Sequence, residues 1–228
     1  MRDLGHVQTN FEKQASIYDD CITKLIPKYR EQNELIPKLI PFDRERGLSA
    51  IDLGCGTGIL AYLILQRYPK ARVIAFDLAG NMLEECKKNL AGFEKRLILK
   101  KGDFGIDDFG SGYDIAVSGL SIHHLDSVTK RRLYQRIYRA LSPGGIFINR
   151  DIVLGKTPVL TEEYHERWRD YMRSCGEDGK MWFNKYLEQD TPDSAEDQME
   201  WLKEAGFTEV ECYWRYINFA IFGGRKAG

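Results

Sequence analysis

Apolar and polar positions alternate in blocks along the central part of the chain. Short apolar runs are typical of buried strands, and stretches with apolar residues at every third or fourth position are typical of helices. The pattern predicts strands over 48–53, 71–77, 96–101, 113–118 and 145–153, and helices over 57–68, 79–91 and 126–141. Strands that alternate with helices form parallel sheets, whose loops meet at one edge where ligands bind.

The two ends of the chain show different patterns. Residues 6–40 are amphipathic, which predicts helices with a break at Pro27 and a kink or a fresh start at Pro37. Near the other end, apolar and polar residues alternate over Phe207–Trp214 and Tyr216–Phe222. This alternation predicts a hairpin that closes the sheet with an antiparallel edge.

Residues 155–192 interrupt the succession of strands and helices. They are polar but rich in aromatic side chains, with Tyr164, Trp168, Tyr171 and Met172 on one helical face. Such a stripe belongs more often to a core than to a ligand site. Because the segment follows the fifth predicted strand, it also stands near the ligand edge, where it could form a lid over a pocket.

A glycine-rich turn joins the first of these strands to the helix that follows it. The segment reads Asp52-Leu53-Gly54-Cys55-Gly56-Thr57-Gly58. Glycine takes positive φ in tight turns and lets a ligand approach the backbone, whose N–H groups at a helix start bind polar atoms. An ordinary strand–helix turn is the alternative. The acid within the strand and the three glycines favour a cofactor loop.

A second acid strengthens the prediction of a cofactor site. Asp77 ends the next strand, close to the spacing of about 20 residues after the glycines that places an acid on a ribose diol. A carboxylate accepts both hydroxyl hydrogen bonds, which a neutral side chain does less well. The two features together predict a cofactor that contains ribose.

Composition and charge limit the class of protein. The chain has 228 residues, of which 43% are hydrophobic and 29% charged, and its net charge is −1. These values are typical of a soluble globular protein. The lack of a basic surplus argues against a nucleic-acid partner, although a local basic patch stays open. No apolar run approaches the length of a membrane span, so no membrane partner is expected.

The cysteines and the N-terminus indicate a compartment. Cysteines occur at 21, 55, 86, 175 and 212, an odd number without metal-site spacing. The first residues are charged and polar, without the apolar core of a signal peptide. These features predict reduced thiols and a cytoplasmic protein. The oligomeric state is left open, with a homodimer as one alternative.

The loop motifs resemble those of the class I S-adenosylmethionine-dependent methyltransferases. Asp52–Gly58 is similar to that family's first motif, and Asp77 is similar to its ribose-binding acid. Lys101–Phe104 resembles its adenine contact, and Leu141–Gly145 resembles the turn before its fifth strand. The resemblance covers about residues 45–153, and more loosely residues 196–226, and it points to the cofactor rather than to the acceptor.

The resemblance implies an α/β fold in a single domain over residues 1–228. The expected architecture is a Rossmann-like doubly wound sheet, mostly parallel with an antiparallel C-terminal strand. A helical N-terminal cap (residues 1–46) and a lid-like insertion after strand 5 (residues 155–192) complete it. The implied function is methyl transfer from S-adenosyl-L-methionine to a small-molecule acceptor, with S-adenosyl-L-homocysteine as the product.

The resemblance also assigns cofactor-binding residues. The glycines would let the backbone approach the methionine and the ribose, and acids would face the cofactor ammonium, the ribose hydroxyls and the adenine amino group. Apolar side chains would flank the adenine ring. The implied cofactor-binding set is Asp52, Gly54, Gly56, Gly58, Asp77, Leu78, Met82, Asp103, Phe104 and Ser118.

The segment after the fourth strand is expected to face the transferred methyl group. It contains the adjacent His123 and His124, and neutral imidazole suits both a general base and a metal ligand. Adjacent residues point in different directions and no further ligand stands at useful spacing, so no metal site is expected. These histidines and Tyr18, which belongs to a motif that folds over the cofactor in related families, are the candidate catalytic residues. The other candidate pocket residues are Asp151, Tyr186 and Trp214.

Three alternative functions stay open. A nicotinamide dehydrogenase fits the spacing of Gly56–Ala61, although the first glycine then follows the strand end too late. The Asp-Leu-Gly-Cys start and the Phe-x-x-Phe-Gly-Gly-x-Lys tail resemble the tRNA wobble-uridine carboxymethyltransferases, which use a carboxylated cofactor. A cofactor-binding protein without catalysis is the third. The sequence lacks the motifs typical of methylation at exocyclic amines or carbon 5 of DNA bases.

Overall fold

A seven-stranded sheet forms the centre of the protein in the computed structural model, which describes residues 21–228. The strands are β1 (Ser49–Leu53), β2 (Arg72–Asp77), β3 (Leu97–Lys101), β4 (Tyr113–Gly119), β5 (Leu141–Ile152), β6 (Thr208–Tyr216) and β7 (Phe219–Arg225). Their order in the sheet is β3-β2-β1-β4-β5-β7-β6. The first five strands are parallel, and β7 is antiparallel to both β5 and β6. The predicted fold, including its antiparallel edge, is therefore confirmed.

Helices cover both faces of this sheet. Within residues 21–228 they are α1 (Tyr29–Leu39), α2 (Ile59–Arg67), α3 (Gly80–Asn89), α4 (Ser127–Ala140), α5 (Pro158–Ser174), α6 (Gly179–Gln189) and α7 (Ala195–Glu204). Residues 21–25 are also helical, and Ile122–His124 form one short 3-10 turn. None of the helices in this part of the chain is long and apolar enough to cross a membrane.

The alternation of side chains along the strands produces two cores. Ala50 packs with Leu60 and other apolar residues of α1, α2 and α3 on one face of the sheet. Ile51 packs on the opposite face with Leu133 and Leu202, which come from α4 and α7. Each large apolar side chain buried in this way stabilises the fold by about 1.5–3 kcal/mol. The two cores hold the sheet rigidly and so fix the positions of the loops at its edge.

The strand order determines where a ligand site forms. From β1 the chain winds outward through β2 to β3, and then returns to place β4 on the other side of β1. The loops after β1 and β4 therefore diverge at the carboxyl ends of the strands, where doubly wound proteins have their binding crevice. This point lies directly above the glycine-rich turn.

Most element boundaries agree with the sequence pattern, with two differences. Strand β5 begins at Leu141 rather than near 145, because Leu141 pairs with Tyr113 ahead of an irregularity in the β4–β5 ladder. The closing hairpin turns at Ile217–Asn218, two residues later than expected. Asn218 is fully buried there, so the turn is held by tertiary packing that a strand pattern does not reveal.

The proline at position 37 does not start a new helix, and that part of the prediction was wrong. Helix α1 includes Pro37 and continues to Leu39, because a proline so close to a helix end removes few backbone hydrogen bonds. The predicted break at Pro27 is confirmed, since it separates residues 21–25 from α1. The apolar face of α1 also packs as predicted, with Ile36 buried in the core.

The insertion after β5 forms helices α5 and α6. Their aromatic side chains Trp168, Phe183 and Tyr186 pack around Ile22 and Ile26 of the N-terminal segment. The indole N–H of Trp168 also donates to the Leu25 carbonyl at 2.7 Å. The aromatic stripe is therefore a core between two segments, and the lid function of the insertion stays a prediction.

Candidate active site

One cavity lies at the carboxyl ends of the parallel strands. Its walls come from the loops after β1, β2, β3 and β4, from the end of β5 and from α1. The lining residues are Tyr29, Gly54, Cys55, Gly56, Thr57, Ile59, Asp77, Leu78, Ala79, Met82, Asp103, Phe104, Gly119, Leu120, Ser121, His124, Leu125 and Arg150. The loops that carry Gly54, Asp77 and Asp103 meet here although they are distant in sequence. Their individual binding roles stay predictions.

The glycine loop after β1 contacts the loop after β4. Gly54 has a φ of +68°, and a Cβ at this position would lie 1.8 Å from the Ser121 hydroxyl oxygen of the loop after β4. Only glycine permits both the backbone conformation and this approach. The Gly54 N–H donates to the Phe76 carbonyl at 2.8 Å, which ties the same loop to β2. The floor of the cavity is therefore rigid.

Asp77 organises the loops on either side of it. One carboxylate oxygen accepts from the Gly56 N–H and the other from the Ala79 N–H, both at 2.8 Å. Burial raises the pKa of this carboxyl, while these backbone hydrogen bonds oppose the rise. Each oxygen has a further lone pair, so the carboxylate can still accept the two hydroxyls of a ribose.

The wall beside Asp77 has the predicted mixture of apolar and acidic groups. Leu78, Met82 and Phe104 line the cavity together with Asp103. Asp103 Oδ1 accepts from the Gly105 N–H at 2.7 Å, which fixes the direction of the carboxylate. Burial raises the pKa of Asp103. Flat apolar surface beside a fixed acceptor suits an adenine ring and its amino group.

Three residues of the predicted cofactor-binding set do not line the cavity. Ser118 is fully buried, and its hydroxyl donates to the Leu53 carbonyl at 2.8 Å. Gly58 faces α3, where a Cβ would lie 2.6 Å from the Cys86 sulfur. Asp52 is 1% exposed and lies beneath the loop. These three residues contact other parts of the protein, and their roles toward the cofactor stay predictions.

Asp52 supports the glycine loop from below. Its Oδ2 accepts from the Ala61 N–H at 3.0 Å, which anchors the first turn of α2. Burial raises the pKa of this carboxyl to about 7, with the Ala61 hydrogen bond and the positive charge of Arg150 acting in the opposite direction. Asp52 is therefore close to half-ionised at neutral pH.

The two histidines belong to a buried network of acidic and basic side chains. His123 Nδ1 lies 2.5 Å from Asp151 Oδ1, and His123 Nε2 lies 3.6 Å from Asp190 Oδ2. His124 Nδ1 lies 2.8 Å from Asp190 Oδ1. The Thr191 N–H donates to the His123 carbonyl at 2.9 Å and holds Asp190 against the pair. This network thus extends from Asp151 near the end of β5 to His124 at the cavity wall.

The pKa values of the two histidines shift in opposite directions. Burial lowers the pKa of His123, but the carboxylates of Asp151 and Asp190 outweigh burial and raise it overall. Burial lowers the pKa of His124, and the neighbouring positive charge on His123 lowers it further. The pKa of His123 is therefore higher than that of His124.

The same side chains could also hold a cation. One ligand atom from each of His123, His124 and Asp190 lies within 4.8 Å of the others. The sequence analysis expected no metal site because a third ligand was missing from the pattern, and Asp190 supplies it only through the fold. The contact of 2.8 Å between His124 and Asp190 already links two of the three groups directly, so the expectation of no metal stays the prediction.

Sequence reasoning missed Arg150. It is 2% exposed and lines the cavity from the end of β5. Its guanidinium stacks over the Tyr29 ring at 4.9 Å, and its Nη1 donates to Asn33 Oδ1. A signal was present, because Arg150 and Asp151 are charged residues within an otherwise apolar strand. The approach of α1 to that strand could not be predicted from the same pattern.

The remaining candidates lie elsewhere. Tyr18 is outside the described residues, so its predicted place over the cofactor stays a prediction. Tyr186 contacts His165 at 3.2 Å within the insertion, and the Trp214 indole donates to Glu31 at 2.7 Å. Neither residue lines the cavity, nor does Asp151, which contacts it only through the histidines. Leu120 is an unpredicted wall residue whose φ of 56° is strained for a branched side chain.

Comparison with known proteins agrees with the fold and the glycine loop. Residues 50–145 match the family model described as a methyltransferase domain. The carboxy-S-adenosyl-L-methionine synthase of Campylobacter hominis is 25% identical over 218 residues, which cover 94% of this chain and 93% of that protein. The synthase of the same name from Wolinella succinogenes is 28% identical over 222 residues, covering 94% and 92%.

Solved structures with the same fold include PigF with S-adenosylhomocysteine, at a TM-score of 0.69 and 20% identity over 99% of this chain. An O-methyltransferase family 2 protein from Planctomyces limnophilus, in complex with apigenin, has a TM-score of 0.68 and 20% identity over 95%. This chain covers 62% of each of those proteins, and the likeness concerns the fold.

The fold and the site together define a methyltransferase with a nucleoside cofactor. Residues 50–145 are similar to a methyltransferase domain, and the fold is that of the class I S-adenosylmethionine-dependent methyltransferases that the loop motifs resemble. The cofactor of this protein is S-adenosyl-L-methionine, as the glycine loop and Asp77 predicted. The assignment as an enzyme is therefore confirmed, and the alternative of a nicotinamide dehydrogenase is wrong.

Proposed function

We propose that this protein transfers the methyl group of S-adenosyl-L-methionine to a small-molecule acceptor in the cytoplasm. The observation that carries the proposal is the cavity described above, which has one end lined by Asp77 and Asp103 and another end lined by His124 and Leu120. The second end lies at the loop after β4, and its apolar walls with one imidazole suit a small organic molecule.

The residues of the cavity divide the work. Asp77, Asp103 and the backbone at Gly54 and Gly56 would hold the cofactor, which supplies an electrophilic methyl group on a sulfonium. The protein then needs to position the acceptor, exclude water and remove a proton. The loops joined through Gly54 and Ser121 provide the rigidity that alignment requires.

His124 is the proposed general base. Its Nδ1 faces Asp190 at 2.8 Å, which favours the tautomer with the proton on Nδ1 and leaves Nε2 as the basic atom. Its lowered pKa keeps it neutral near pH 7, the state that a base needs. The bound cofactor would supply a methyl group whose bond to sulfur breaks as the acceptor's heteroatom takes the methyl, with S-adenosylhomocysteine as the leaving group. His124 would accept the proton that the acceptor's hydroxyl, amine or thiol loses.

The test has two parts on the purified full-length protein. Calorimetry with S-adenosylhomocysteine measures cofactor binding, and transfer of tritium from labelled S-adenosylmethionine to a panel of phenols, amines, thiols and carboxylic acids measures activity. Saturable binding with labelled product from at least one class supports the proposal. Binding without transfer to any panel member, while tRNA is labelled, would contradict the small-molecule acceptor.

A second candidate function uses a carboxylated cofactor. The relatives named carboxy-S-adenosyl-L-methionine synthase match more than nine-tenths of their length, so the similarity includes the parts that surround the cavity. In this case the cofactor released from the freshly purified protein would have the mass of carboxy-S-adenosyl-L-methionine rather than of S-adenosylmethionine. Mass spectrometry of the released ligand decides between the two candidates.

A further inference from the structure

Arg150 is a buried cation whose guanidinium contacts uncharged groups within residues 21–228. Its side chain is 2% exposed, and its guanidinium donates to the Asn33 amide oxygen and stacks over the Tyr29 ring. Its Nε has no hydrogen-bond partner in the same part of the chain. Burying an unpaired charge is costly, so such a group usually marks a place where an anion binds.

Asp52 cannot fully neutralise this charge. Asp52 is close enough for Arg150 to lower its pKa, but burial still holds that pKa near 7. A carboxyl that is half protonated at neutral pH provides only part of a counter-charge. The short contact with Asn33 is to a neutral amide, which leaves the positive charge in place.

The backbone around the guanidinium is shaped to expose it to the cavity. Gly119 is opposite Arg150 in the pairing of β4 with β5. A Cβ at position 119 would lie 2.8 Å from Arg150 Nη2 and 3.3 Å from its Nε. The missing side chain thus provides the space in which the guanidinium reaches the cavity wall, where both residues stand.

The sheet order places Arg150 at the end of the cavity remote from the adenine wall. Asp77 and Asp103 follow β2 and β3, whereas Arg150 ends β5, with β1 and β4 between them. A ligand whose adenosine lies over β2 and β3 therefore extends its other end toward Arg150. An acidic group at that end would meet a planar donor that binds carboxylates through two parallel hydrogen bonds.

We propose that Arg150 is the binding site for a carboxylate in this cavity. The inference rests on the proposed function, in which two molecules can supply that group: the methionyl part of the cofactor, or an acceptor that is itself a carboxylic acid. The chemistry is the same for both, and the position of Arg150 beside both Gly119 and Tyr29 is compatible with either source.

The experiment measures ligand binding by calorimetry on the full chain. S-adenosylhomocysteine is compared with 5′-methylthioadenosine, which shares the nucleoside and the thioether but lacks the amino-acid part. If the cofactor supplies the carboxylate, Arg150→Gln lowers the affinity for S-adenosylhomocysteine about 10- to 100-fold and leaves the affinity for methylthioadenosine unchanged. Arg150→Lys is expected to fall between the two because it retains the charge without the planar fork.

A second arm tests the acceptor as the source. Benzoate and succinate are titrated into the wild type and Arg150→Gln, each saturated with S-adenosylhomocysteine. Binding of either carboxylate to the wild type that is lost in the variant, with unchanged S-adenosylhomocysteine affinity, places the carboxylate on the acceptor. The matched control is Arg215→Gln, since Arg215 pairs with Glu196 at 2.7 Å and does not line the cavity.

Equal binding of S-adenosylhomocysteine and of both acids by the wild type and a folded Arg150→Gln would overturn the inference. If the variant does not fold, the test uses the wild type alone and compares its affinity for S-adenosylhomocysteine with its affinity for decarboxylated S-adenosylhomocysteine, which lacks only the carboxylate. Equal affinities, with no binding of benzoate or succinate, also overturn it. Failure of the wild type to bind S-adenosylhomocysteine or methylthioadenosine at all would instead contradict the proposed function.

Discussion

The two ends of the cavity differ in how they are built. The adenosyl end is made of backbone and carboxylates from the loops directly after β1, β2 and β3, and Asp77 joins two of these loops by hydrogen bonds of 2.8 Å. The methyl end combines His124, Asp190 and Arg150, which come from widely separated parts of the chain. The comparison suggests that a common cofactor is bound by local motifs, whereas acceptor chemistry depends on long-range packing.

The largest expected effect concerns the methyl end. His124→Gln removes the proposed base and should lower kcat about 10²- to 10⁴-fold. The Kd for S-adenosylhomocysteine should change little, because His124 is not among the residues predicted to bind the cofactor. The rates are measured with an acceptor identified in the tritium assay.

The matched control for this variant is His165→Gln. His165 is a buried histidine of the insertion that contacts Tyr186 at 3.2 Å and does not line the cavity. The His165→Gln variant should have a kcat within about threefold of the wild type, a much smaller change than the loss of a general base causes. An undiminished rate in His124→Gln would show that His124 lines the cavity without acting as a base. The two ends would then differ in construction but not in a catalytic role of His124.

The next effect concerns the adenosyl end. Asp77→Ala should weaken S-adenosylhomocysteine and methylthioadenosine alike, by about 10- to 100-fold, because both contain the ribose. Asp77→Asn should weaken them less, since one oxygen can still accept from a backbone N–H. Calorimetry measures both ligands, with Asp43→Ala at an exposed position as the control.

Unchanged affinity in a folded Asp77→Ala protein would refute the ribose assignment. A loss confined to S-adenosylhomocysteine would instead place Asp77 at the amino-acid part of the cofactor. Either result would break the separation between an adenosyl end and a methyl end.

A smaller effect is expected from pH. Burial and the charge on His123 lower the pKa of His124 below its ordinary value of 6.5. The neutral base is therefore present throughout the range above pH 6.5, and kcat should be constant there. At lower pH the rate should fall by about tenfold per unit once His124 becomes protonated. The pH profile of tritium transfer measures this, and a rise of kcat above pH 7.5 would contradict a neutral His124.

The smallest effect on cofactor affinity is expected at Asp52. Because this carboxyl lies beneath the loop, Asp52→Asn should change the Kd for S-adenosylhomocysteine by less than about threefold, equivalent to under 1 kcal/mol. The free energy of unfolding of the Asp52→Asn variant should change more than its cofactor affinity. Burial raises the folded-state pKa of Asp52 to about 7, above the value of 3.8 for the unfolded chain.

The sign of the stability change follows from that pKa. In the wild type the free energy of unfolding contains a contribution from Asp52 that is lost as pH rises from 3.8 through 7. Asparagine does not ionise, so the stability of Asp52→Asn relative to the wild type should be greater at pH 8 than at pH 5. Urea unfolding at the two pH values measures it. A tenfold loss of cofactor affinity would place Asp52 on the ligand after all.

The sequence predicted those features whose structure is determined by the residues of one short segment. The glycine loop, the strand ends and Asp77 follow from local backbone requirements and from the alternation of strands and helices. It was less informative for side-chain direction. Ser118 and Gly58 belong to the right loops but face Leu53 and Cys86, because strand pleating and helix packing, rather than loop membership, decide which way a residue points.

The chain by itself determined the class of fold and its cofactor, because these depend on periodic burial and on one glycine turn. Only the tertiary structure decided the composition of the methyl end. Asp190 contacts His124, and Arg150 is positioned at the cavity wall by contact with Asn33. Both contacts join distant segments, and a pattern along the chain contains no information about such distances. The electrostatics of that end depend on burial, which is a property of the folded protein alone.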